Sequence, residues 1–96
     1  MDAREAEALL LSRCTVAARE ANTKAQDQRE ANVFHLAATV VRSQYPAEAE
    51  NLARASDHYF AAHPDSRLTL GEVIGHGWVV SLPRLRDMLN HRFGGR

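Results

Sequence analysis

Five histidines, His35, His58, His63, His76 and His91, and one cysteine, Cys14, are the side chains in this 96-residue chain best suited to metal, acid–base or nucleophilic chemistry. A helix presents two imidazoles to one ion when they are four residues apart, and no two of these histidines have that spacing. His58 and His63 come nearest; at five residues they would be turned about 140° from each other on a helix. His63 and His91 fit helix ends, where an imidazole can meet the last carbonyls and the negative end of the dipole. Cys14 lies on an apolar stripe, where a small hydrophobe suffices. A nucleophile would need a neighbouring base and electropositive surroundings, and the sequence shows neither. Asp57 and His58, with Glu20 or Glu30, form the acid–base combination that folding could assemble. The Gly-x-Ser-x-Gly elbow, the phosphate loop ending in Lys-Ser/Thr and the His-Glu-x-x-His helix are all missing, and Gly71, Gly75 and Gly77 read as helix stops and points of close backbone approach. The sequence therefore predicts no enzyme, no metal site and no cofactor.

Charge is more informative. Twelve Lys and Arg balance twelve Asp and Glu, so no overall field draws the chain to nucleic acid or to an anionic membrane. The balance is uneven: residues 1–66 hold 7 basic and 10 acidic side chains, residues 67–96 hold 5 and 2. The C-terminal excess lies around Arg84, Arg86, Asn90, His91 and Arg92, on the side of a final helix away from Leu82, Leu85 and Leu89. With Trp78 these are the candidate partner-binding residues, because Arg and Trp are enriched among side chains that dominate binding energy. Trp78 by itself also reads as a core residue.

The elements that would position them follow from punctuation and periodicity. Residues 2–45 contain neither Gly nor Pro and are rich in Ala, Glu, Arg and Leu, all good helix formers. Asp2 and Glu5 have the spacing of a capping pair, and Leu10, Cys14, Ala17, Ala21 and Ala25 make an apolar stripe. In register that stripe turns polar at Gln28, Asn32, His35 and Thr39, while Phe34, Ala37, Val41 and Tyr45 start another face. A break in residues 22–28 giving two antiparallel helices explains this; one long helix touching different neighbours is the alternative. Pro46 starts a third helix to about residue 62, with Ala49, Leu52, Ala53, Ser56, Tyr59 and Phe60 as its stripe. Residues 63–66 close it.

Thr69 and Glu72 form a capping box before a short helix at 70–76, with Leu70, Val73 and Ile74 inward. Trp78–Val80 is a connector, and Ser81 caps a helix whose first turn tolerates Pro83 and which runs to about Arg92. A β-hairpin with Val73-Ile74 and Trp78–Val80 as its arms is the competing reading.

The stretch Leu68–Arg86, LTLGEVIGHGWVVSLPRLR, resembles the opening helix-turn-helix of MerR-type regulators, in which Thr-hydrophobic-Gly-Glu-Val leads to Val-Ser and then Leu-Arg. The matching residues are Thr69, Leu70, Gly71, Glu72, Val73, Ser81, Leu85 and Arg86. The stretch has one extra residue between Glu72 and Ser81, lies at the C-terminus rather than the N-terminus, and is followed by no wing. The resemblance implies DNA binding, with the last helix in the major groove offering Arg and Asn to base edges. The plain alternative is a terminal helical hairpin whose arginines are solvated or paired with acids of the first and third helices.

The fold expected is all-α, a compact bundle of four to five helices in one domain over residues 1–93, three of them Ala-rich and two a short C-terminal pair, with 94–96 a flexible tail. The function expected is that of a non-enzymatic protein that binds a macromolecular partner, a protein or protein complex, and regulates or inhibits it through the C-terminal helical surface. A DNA-binding regulator is the alternative. A lone cysteine and no leader pattern predict a reducing, cytoplasmic setting. The apolar runs Leu9–Leu11 and Trp78–Val80 are far shorter than the roughly 18–20 residues that span a bilayer, so no membrane partner is expected. The 16 alanines, all before residue 66, suit close helix approach and would suit a homodimer if exposed.

Overall fold

A computed structural model describes residues 2–94 and folds them as a small all-α bundle: α1 Ala3–Arg19, α2 Gln28–Val41, α3 Pro46–Ala62, a 3-10 turn Pro64–Ser66, α4 Leu70–Gly75 and α5 Leu82–Phe93. No strand occurs among the described residues, so Val73-Ile74 and Trp78–Val80 do not pair as a hairpin. The first two helices are separate, and the chain between them is held by specific bonds: Ala25 N–H donates to the Ala55 carbonyl at 3.3 Å, and Arg13 Nη2 donates to the Lys24 carbonyl at 3.3 Å.

Each helix starts where a side chain or a proline satisfies the first turn. Asp2, Asp27, Thr69 and Ser81 accept from the backbone N–H three residues on, and Thr69 with Glu72 closes a full capping box. Pro46 opens α3. α4 ends in a Schellman motif: Trp78 N–H reaches the Val73 carbonyl at 3.3 Å and Gly77 N–H the Ile74 carbonyl at 2.9 Å. That geometry places Gly77 at φ +76°, where a side chain would be strained.

α2 lies at the centre, packed chiefly on α3 and then on α5, while α1 rests mainly on α3. Phe34, Leu52, Leu89, Val33, Val41 and Val73 are fully enclosed in one contiguous core. Much of the alanine content packs inside the bundle, with Ala17, Ala18, Ala31, Ala37, Ala38, Ala49 and Ala55 all buried, where small side chains let the helices approach closely.

Several local expectations are corrected. Leu70 and Ile74 are 38% and 39% exposed, because a two-turn helix turns only Val73 onto the core. Ala21 is exposed beyond the end of α1, and Leu82 is only half-buried. Asn32, expected on a polar face, is 2% exposed: its amide donates to the Gln28 and Ser66 carbonyls at 2.8 and 3.0 Å and accepts from Leu68 N–H at 2.9 Å. Gly94 caps α5 by donating to the Asn90 carbonyl at 2.8 Å; residues 95 and 96 of the expected tail lie outside the described residues. Among the described residues, no helix is long and apolar enough to cross a membrane.

Candidate cleft between the first helix and the C-terminal pair

The inner stripe of α1 continues toward its N-terminus as Ala3, Ala6 and Leu10, and the two alanines leave space where larger side chains would fill it. Opposite them run the connector Gly77–Ser81 and the first two turns of α5, with Arg29 and Val33 of α2 also on the wall. The result is a cleft of about 200 Å³. Its surface is mostly apolar, contributed by Leu10, Leu11, Val33, Val79, Leu85 and Met88. Three charged side chains interrupt it. Arg84 reaches Glu7 at 3.0 Å, and Arg29 donates through Nη2 to the Ala6 carbonyl at 3.3 Å. Arg29 Nε is buried without a hydrogen-bond partner, and Arg29 joins no ion pair among the described residues.

The six residues selected from sequence do not form one surface. Trp78 and Arg84 both line the cleft; Trp78 is half-buried and stacks on His76 with ring centroids 4.6 Å apart. His91 and Arg92 border a separate shallow hollow with Leu11, Asp87 and Met88. The Arg92 carbonyl accepts from Arg19 at 3.4 Å. Arg86 and Asn90 lie about 200° and 240° around α5 from Arg84, counting 100° per residue. Arg86 is exposed with Asp87 at 3.6 Å, and Asn90 is half-buried with an unpartnered Oδ1. The cleft residues that sequence reasoning missed are Ala3, Ala6, Glu7 and Arg29. The signal for the alanines was present, since they extend the Leu10–Cys14–Ala17 stripe at three-and-four spacing.

The groups suited to acid–base chemistry are dispersed or engaged. Glu30 is clasped by Arg13 through Nε at 3.0 Å and Nη2 at 3.1 Å, and this hydrogen bonding raises the Arg13 pKa above its ordinary value. Asp57 faces Arg67 at 3.9 Å, while His58 borders an open hollow with Lys24 and Arg54. Among the described residues, no three His, Cys, Asp or Glu side chains converge as a metal site would require. Cys14 also lines the cleft but is fully enclosed, and burial pushes its thiol up to about 12, which leaves it protonated and unreactive at neutral pH.

No protein family, no curated protein and no solved structure matches this chain.

Proposed function

We propose that this chain is a non-enzymatic binding protein, which engages a macromolecular partner, most simply a protein, through its C-terminal helical pair and regulates or inhibits that partner. The observation that carries this reading is the grouping at the cleft mouth of Trp78, Arg84 and Val80, the last 69% exposed. A large apolar side chain left in water beside a half-buried Trp and an Arg has the composition of an interface centre. The reading includes a reducing, cytoplasmic setting on the ground of the single thiol, and no membrane partner.

DNA binding through α5 draws no support from the arrangement. A helix-turn-helix packs its two helices on each other, whereas α5 packs on α2 and α1 and has at most marginal contact with α4.

The test is affinity capture with the wild-type chain, with Val80→Asp and with the double variant Arg84→Ala/Arg86→Ala, each first checked for helicity and melting. A partner that the wild type retains and both folded variants lose supports the reading. Retention by both variants removes this surface. A gel shift with duplex DNA at two salt concentrations separates the alternative, since phosphate-led binding weakens steeply with salt.

A further inference from the structure

We propose that the cleft between α1, the connector 77–81 and α5 binds a small amphipathic monoanion, a carboxylate on an aliphatic chain of about eight carbons. The proposal is independent of the macromolecular reading and concerns a ligand of different class.

Size is the first argument. An opening of about 200 Å³ equals roughly seven waters at ~30 Å³ each, which is room for a short aliphatic chain. A helix about 10 Å across does not enter. Polarity is the second. With Leu10, Val33, Val79, Leu85 and Met88 on the walls, water inside finds few partners, so displacing it by methylene groups is favourable.

Charge decides the head group. The cleft carries Arg29, Arg84 and Glu7, and the last two cancel at 3.0 Å. Arg29 is left partly withdrawn from water, with a backbone carbonyl at 3.3 Å and no carboxylate within 4.0 Å among the described residues. A cation in that position is stabilised by a counter-ion, and a carboxylate matches the guanidinium fork. A neutral ligand would leave Arg29 unpaired, and a cation would be repelled. One uncompensated positive charge calls for one negative charge.

The experiment titrates octanoate, 1-octanol and octylammonium separately into isotopically labelled protein and follows the amide resonances. Octanoate should bind with Kd on the order of 0.1–1 mM, a modest value for about ten non-hydrogen atoms, and should shift amides of residues 3–14, 29–33 and 77–88. Octanol and octylammonium should bind at least about tenfold more weakly, the loss of one charged pairing. Arg29→Gln should weaken octanoate by a similar factor, and Ala6→Leu, which fills the cleft without touching any charge, should abolish binding. Glu7→Gln adds a second unpaired guanidinium and should tighten it. The proposal is overturned if about 10 mM octanoate shifts nothing, if shifts fall outside those segments, or if the three probes bind alike. It is equally overturned if folded Ala6→Leu binds octanoate as the wild type does, a result that stands even should Arg29→Gln fail to fold.

Discussion

The guanidinium of Arg84 on α5 and the carboxylate of Glu7 on α1 meet at 3.0 Å across 77 residues of chain. This contact ties the C-terminal pair to the first helix at the mouth of the cleft, and it takes up a charge that the sequence assigns to an outside partner. Arg84 is about half exposed, so water screens the pair; Arg13 with Glu30 is far more enclosed and makes two hydrogen bonds.

The two ion pairs should therefore differ in weight. Glu7→Gln is expected to change unfolding free energy by less than about 1 kcal/mol, as exposed pairs do. Glu30→Ala leaves Arg13 Nε and the Gln26 N–H, which donates to Glu30 at 3.1 Å, without an acceptor and the Arg13 guanidinium with the Lys24 carbonyl alone, and should cost about 2–3 kcal/mol. Urea unfolding of both variants checks the contrast, and equal losses would contradict it.

Asn32 fastens the segment after the 3-10 turn to α2 with one buried side chain. Asn32→Ala removes the acceptor for Leu68 N–H and a donor to the Ser66 carbonyl, a loss of about 2 kcal/mol. In a chain of this size the melting temperature should fall by roughly 8–16 °C. Proteolysis at residues 63–69 should rise in step.

These two sites mark the boundary of what the sequence makes legible. Helix starts and stops are local chemistry, and Asp2, Pro46, Thr69, Gly77 and Ser81 each announce an end within three residues of itself. The all-α bundle follows from them. Asn32 looks like any surface asparagine until Ser66 and Leu68 arrive from more than thirty residues away. Leu70 and Ile74 read as core because three apolar residues on a short helix look like a stripe, yet two turns can rest only one of them on a neighbour. The cleft was hidden for a related reason. Its volume comes from what Ala3 and Ala6 do not fill, and a missing side chain becomes a space only once the facing connector is in place.

Stability should depend on pH through His35. Burial and the guanidinium of Arg67, whose Nη1 lies 3.4 Å from both ring nitrogens, hold its pKa below the ordinary 6.5; Asp57 opposes the shift and Arg42 adds to it. As pH drops, the unfolded chain takes up this proton before the folded one does. His35's contribution is therefore complete above about pH 6.5 and declines from there toward the folded-state value. Melting curves between pH 7 and 5 should show a slope that is shallower in His35→Gln; an unchanged slope would assign the effect to other groups.

Gly77 is the glycine whose conformation matters most. At φ +76° a methyl group meets no neighbouring atom, so Gly77→Ala isolates backbone strain, expected at about 1 kcal/mol. Gly75→Ala, in ordinary helical geometry with equal space around it, should be neutral or stabilising, and calorimetry of the two variants side by side measures the difference.

The enclosure of Cys14 makes covalent dimers a record of opening. A thiol fully covered by its own chain cannot meet a second copy, so a disulfide-linked pair on a non-reducing gel can arise only from molecules that had come apart beforehand. Left under air, a purified sample thus keeps its own tally of excursions from the native state, and under one oxidising condition a variant whose core opens more often should build that band faster.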